Sequence, residues 1–252
     1  MNSHAGHQNG PSSPVSQVKE RFLLPEGYQK VKTEKGSFAE FLTQLPLKPE
    51  RSDLRYYNGQ VKTRRYAGAV VDVDFGHDVA EQCADAVIYL RALWLWKNKK
   101  YDLIHFNFDN GFRVDYVKWA EGYRIQVNTR NWHCSWHKDA KRDYSYTTFR
   151  KYLSQVFFYA GTASLSPELM PIAVKDLQIG DVLINGGHPG HTVIIVNMAV
   201  NAKGEKIYQF AQGYTPAQEI EIFRDWYEID PNSSSCVTPG WIFKGNYAKR
   251  FK

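Results

Sequence analysis

Cys83, His191 and Gln212 are the residues whose types and placement could do chemistry. A cysteine becomes a nucleophile when a helix N-terminus or an imidazole partner favours its thiolate. Cys83 stands early in a helical stretch, Glu81-Gln82-Cys83-Ala84-Asp85-Ala86. His191 opens the apolar strand Pro189-Gly190-His191-Thr192-Val193-Ile194-Ile195. An imidazole that works as a base needs a third group to fix its tautomer. The next strand ends in Phe210-Ala211-Gln212-Gly213, which makes Gln212 the orienter. Gln82 is placed to join the backbone N–H of Cys83 in an oxyanion hole. His188 and Tyr214 flank this set, and Trp119 belongs to an aromatic stretch, with Tyr116 and Tyr123, that reads as a strand walling a substrate groove. The bland alternative is that Cys83 is a small buried hydrophobe, the commoner fate of a lone helical cysteine.

The elements that must position these residues follow from the pattern. Ser37 with Glu40 three positions on caps a short helix from Phe38 to about Leu45. Asn58-Gly59 marks a hairpin between Leu54–Tyr57 and Gln60–Tyr66, and Ala69 to Phe75 alternates as a half-buried strand. Asp78, with Glu81 at the third position, caps the helix that carries Cys83 to about Lys97, with one apolar face at a period near 3.6. Strands are expected at Leu103–Phe108, Phe112–Val117 and Gly122–Asn128, then an irregular loop from Thr129 to Ser145. A second helix runs from Thr147 to the Gly161 stop. After it come strands near Val182–Ile184, His191–Met198, Lys206–Ala211, Glu219–Phe223 and Trp241–Phe243. Helices first and antiparallel strands afterwards make an α+β fold, a single domain over 22–252 behind a leader at 1–21.

Other chemistries have weaker support. His133, Cys134 and His137 could ligate a metal, but a structural site wants four ligands and no second pair lies at matching spacing, so no metal and no cofactor is expected. The turn Gly186-Gly187-His188-Pro189-Gly190 precedes a strand rather than a helix, so it is not a phosphate cradle. Its glycines are expected to let backbone approach a substrate beside His191.

The segments Asp176-Leu177-Gln178-Ile179-Gly180-Asp181-Val182-Leu183 and Gly190-His191-Thr192-Val193-Ile194-Ile195 resemble the core of the NlpC-type, papain-like cysteine peptidases and amidases. Beyond them, the chain after Phe22 is similar to an uncharacterised bacterial family carried as a domain of unknown function. Its hallmarks look like Gln82-Cys83-Ala84-Asp85-Ala86, Gly187-His188-Pro189-Gly190-His191 and Ala211-Gln212-Gly213-Tyr214-Thr215-Pro216-Ala217-Gln218-Glu219. The first resemblance implies a papain-like helix packed on an antiparallel sheet, with Cys83 as nucleophile, His191 as base and Gln212 as the third polar group. It further implies hydrolysis or transfer of an amide in a peptidoglycan peptide or related substrate, in the cell envelope or periplasm. The Asp-Cys-Ser-Gly usual around that nucleophile is replaced here by Gln82-Cys83-Ala84-Asp85. The rival reading is a non-catalytic module that holds a glycan or peptide in an aromatic groove.

Composition agrees with a globular body: 252 residues, 43% hydrophobic and 23% charged, are enough for a sizeable core without disulfides. Net charge is +6, but the basic residues are dispersed, with no stripe or motif for nucleic acid. No run of 18 apolar residues occurs to cross a membrane as a helix. Met1 to Gln17 is rich in His, Asn, Ser, Gly and Pro and lacks the apolar region of a signal peptide. Three cysteines leave at least one thiol unpaired.

Overall fold

A computed structural model of the protein describes residues 16–63, 67–78 and 80–252. The expected leader overlaps this range at its end: Val18–Arg21 forms a helical turn whose Val18 is buried, so order starts before residue 22. Residues 1–15 of the expected leader lie outside the described residues.

The molecule is mixed α+β around a large antiparallel sheet, nine-stranded among the described residues. Seven strands run across it in the order Ala67–Val70, Glu221–Phe223, Lys206–Gln212, His191–Asn201, Val182–Asn185, Ala248–Arg250 and Met170–Pro171. Tyr28–Lys30 pairs with the far end of the His191 strand, and Tyr227–Glu228 with the start of the Lys206 strand. The His191 strand is the longest and is buried from His191 to Ala199, which accounts for its near-continuous apolar sequence.

The helix Cys83–Lys97 packs across this strand. Periodicity predicts one buried face, yet every residue from Cys83 to Leu95 except Arg91 is buried. The sheet covers one side. The other is covered by a layer built from residues 101–160: two hairpins, the short helix Tyr116–Ala120 and the helix Tyr146–Tyr159. Much of the aromatic content sits in this layer, where Tyr116 meets Tyr101, Tyr144, Phe149 and Tyr152 at ring separations of 5.3–6.1 Å.

Two expectations need correction here. Tyr116 to Trp119 is helix, not strand; Tyr116 and Trp119 are buried, and Trp119 Nε1 donates to the Thr148 carbonyl at 3.2 Å. The expected loop after Thr129 contains the strand His133–Lys138, paired with Tyr123–Asn128. Strand alternation puts His133 and His137 on one face and buried Cys134 on the other, which splits the candidate metal set. Of the Asn58-Gly59 hairpin, Arg55 bridges Val61; residues 64–66 lie outside the described residues.

Gly180-Asp181 has a structural task. Gly180 sits at φ +97°, and the buried Asp181 carboxylate takes both Nε and Nη2 of Arg250 at 2.6 and 2.7 Å. That clamp ties the C-terminal strand to the turn that leads into Val182.

Candidate active site

The helix that carries Cys83 begins at Cys83 itself. Gln82 is the N-cap, in an extended conformation, and Asp85 Oδ2 accepts the Gln82 backbone N–H at 2.9 Å. Asp78 does not cap this helix. The carboxylate of Glu81 instead turns back to collect the backbone N–H groups of Gly76, His77 and Asp78 at 2.6, 2.9 and 3.2 Å, and takes Arg150 on its other oxygen. Residues 76–78 therefore form a loop around the buried Glu81 carboxylate, and the backbone N–H groups of Cys83 and Ala84 lie at the thiol.

His191 lies on the strand packed against this turn, 3% exposed. Its Nε2 is 2.8 Å from Gln212 Oε1. Gln212 Nε2 donates to Glu221 Oε1 at 2.9 Å, and an ionised carboxylate can only accept, so the amide oxygen must face the imidazole. Nε2 of His191 then carries the proton and Nδ1 keeps the free lone pair. The rings of Tyr214, Trp241 and Phe243 surround the imidazole at 5.4, 5.6 and 6.0 Å. Gly213 is required because a Cβ there would stand 2.8 Å from the Gln82 carbonyl, where the strand end and the helix start touch.

Cys83, His191, Gln82, His188 and Tyr214 line one cavity of about 1040 Å³. Trp119 does not. Its place is taken by aromatic side chains that sequence reasoning missed: Phe108, Trp132, Phe158, Tyr159 and Trp241. Trp132 and Phe158 are 58% and 69% exposed at the mouth. A signal existed: Phe157-Phe158-Tyr159 places three aromatics in a row on a helix, and one face cannot bury all three. Gln82 Oε1 accepts from Thr215 Oγ1 at 3.2 Å, which leaves its NH₂ as the group available to the cavity. His188 Nε2 is 3.2 Å from Asp109 Oδ2 on the opposite wall. The glycine turn packs on protein more tightly than expected: a Cβ on Gly190 would lie 2.1 Å from Thr162 Oγ1.

Electrostatics run against a preformed ion pair. Burial, then the Asp85 carboxyl, push the Cys83 thiol up to about 11, against the pull of the backbone amides of Ala84, Thr192 and Cys83. Burial likewise lowers His191, opposed by Gln212 and Glu221. The depressed thiol expected of a helix N-terminus is not found, because desolvation outweighs the dipole. At neutral pH both groups are uncharged, a thiol and a neutral imidazole.

Asp85 is fully buried, its Oδ1 has no partner, and burial holds it well above the usual carboxylate range. A raised folded value means that stability is lost as pH climbs through it. Asp85→Asn is therefore expected to raise the melting temperature near pH 8, with the gain vanishing toward pH 4, and to lower the Cys83 thiol pKa. Thermal melts and thiol titration across that range check both; a variant less stable at pH 8 would contradict the assignment.

Residues 18–250 match the model of the family described as "Domain of unknown function (4846)". The chain belongs to that family. Neither the curated proteins nor the solved structures give a match. The match takes in nearly every described residue, the 101–160 layer included, so the cavity is framed entirely by the family's own domain.

Proposed function

We propose that the chain is a cysteine-dependent amide hydrolase or acyl transferase, with Cys83 as nucleophile, His191 as base and Gln212 as orienter. The observation that carries this reading is the hydrogen-bond direction along Glu221–Gln212–His191, which leaves Nδ1 of His191 free on the strand packed against Cys83. Cys83 sulfur attacks the carbonyl carbon as its proton passes to Nδ1. The oxyanion is held by the Cys83 N–H and the Gln82 amide. The imidazolium returns the proton to the leaving amine, and water or an acceptor amine then cleaves the thioester. Likeness to NlpC-type enzymes, in fold and activity, is part of this proposal, and with it a peptidoglycan peptide or related amide as substrate in the cell envelope. The exposed Trp132 and Phe158 favour a ligand with an apolar or sugar face at the mouth.

A second reading, a non-catalytic glycan- or peptide-binding module, has one observation in its favour: the thiol is only 8% exposed and its proton is held tightly. An activated ester separates the two. With p-nitrophenyl acetate the hydrolase gives a burst of nitrophenolate and an acetyl group on Cys83 that water removes. A protein that is never acetylated on Cys83 is a binding module.

A further inference from the structure

We propose that Glu221 is a positioning residue that sets the tautomer of His191 through Gln212, with Lys62 as its counter-charge. The sheet register makes Gln212 and Glu221 direct cross-strand partners, so their side chains share one face. Glu221 is fully buried, and its Oε1 collects three donors: Gln212 Nε2 at 2.9 Å, Gln218 Nε2 at 3.0 Å and Lys62 Nζ at 3.3 Å. Lys62, 8% exposed, also donates to Gln218 Oε1 at 2.7 Å and lies 4.8 Å from the centroid of the Tyr214 ring.

A buried carboxylate needs such a partner, since an uncompensated charge there is strongly unfavourable. The Asn58-Gly59 hairpin delivers it. Backbone bonds Tyr57 N–H to Ala217 O and Glu219 N–H to Arg55 O, both 3.0 Å, lay the hairpin along the 217–219 segment and bring Lys62 beneath the sheet. The hairpin is thus part of the site's wiring rather than a peripheral elaboration.

Every step in this chain has a forced direction. Lysine only donates and an ionised carboxylate only accepts, so the Gln212 amide has one orientation and His191 one tautomer. A side chain with no acceptor at position 221 removes the constraint. The Gln212 amide can then turn over, present NH₂ to Nε2 and move the imidazole proton to Nδ1, where it blocks proton transfer from Cys83. The catalytic consequence rests on the hydrolase reading above; the tautomer does not.

The test is nitrogen NMR of the full chain labelled with ¹⁵N-histidine, in the neutral range of His191. Wild type is expected to show His191 protonated at Nε2 and bare at Nδ1. In Glu221→Met, which leaves no acceptor at position 221, the Nε2–H form should fall to about half, because the Gln212 amide can then face either way. Acylation of Cys83 should fall severalfold with it. Lys62→Met, which keeps Glu221 in place, should shift the tautomer in the same sense, and Lys62→Arg should restore it. A wild-type His191 protonated at Nδ1, or an unchanged Nε2–H form in both Glu221→Met and Lys62→Met, overturns the proposal. A tautomer that follows Glu221 in a protein whose Cys83 never acylates supports it and overturns the hydrolase reading instead.

Discussion

Replacing His191 with alanine is expected to slow acetylation of Cys83 by p-nitrophenyl acetate by about 10²–10⁴-fold at pH 7.5. The magnitude follows from the state of the thiol. A cysteine pushed up to about 11 carries almost no thiolate at that pH, so the rate depends on a base that removes the proton during attack. His191 is the imidazole on the strand next to the helix start, and its environment keeps it neutral and ready. Cys236 provides an internal control. Burial also pushes that thiol up to about 11, and burial is the whole of the cause. Its labelling should be slow in wild type and unchanged in the variant. Loss of Cys83 reactivity without change at Cys236, read by peptide mass spectrometry, assigns the effect to the base and not to unfolding. Equal rates in both proteins would remove His191 from the mechanism.

The largest expected effect on stability comes from Glu81→Ala. Glu81 is buried, ties three backbone N–H groups of residues 76–78 and pairs with Arg150 at 2.5 Å. Its removal leaves three amides unpaired and takes one of two carboxylates from the largely buried Arg150, whose Nε keeps Asp74 at 3.2 Å, at a cost of about 3–5 kcal/mol. For a chain of this length that corresponds to a fall in melting temperature of roughly 10 °C or more. The segment it releases leads directly into Gln82 and Cys83, so the helix start should fray as well. Arg113→Ala, which removes the exposed pair with Asp115, should change stability by no more than about 1 kcal/mol. Thermal melts of both variants make the comparison; a Glu81→Ala protein as stable as Arg113→Ala would contradict the role given to the carboxylate.

The same residue marks where sequence reasoning stopped. Asp78 followed by Glu81 has the spacing of a capping box, and propensity alone starts the helix there. Glu81 instead satisfies the N–H groups of the preceding loop, and the helix begins five residues after Asp78, at Cys83. Local spacing cannot tell these apart, because Arg150, which completes the anion's shell, comes from a distant helix. The strands at Val182 and His191 are legible because burial on both faces leaves a near-continuous apolar run. Cys83, His191, Gln82, His188 and Tyr214 line one cavity, whereas Trp119 lies in the core of the 101–160 layer. Its stretch reads as a strand because aromatics are enriched in strands, and packing against Thr148 and Tyr152 decides for a helix. Lys62 and Glu221 carried no local signal. Their pairing depends on sheet register and on where a hairpin lands.

The most direct test of the Cys83–His191 pair is the rate of Cys83 alkylation by iodoacetamide as a function of pH, in wild type and His191→Ala. His191 must be neutral to accept the proton, and burial lowers it from the ordinary 6.5. The wild-type rate should therefore fall only as pH drops below 6.5, and run nearly flat through neutrality. That limb should be missing in the variant. A rate that climbs about tenfold per pH unit toward the thiol's own value near 11, identically in both proteins, would show an isolated buried thiol and contradict the account.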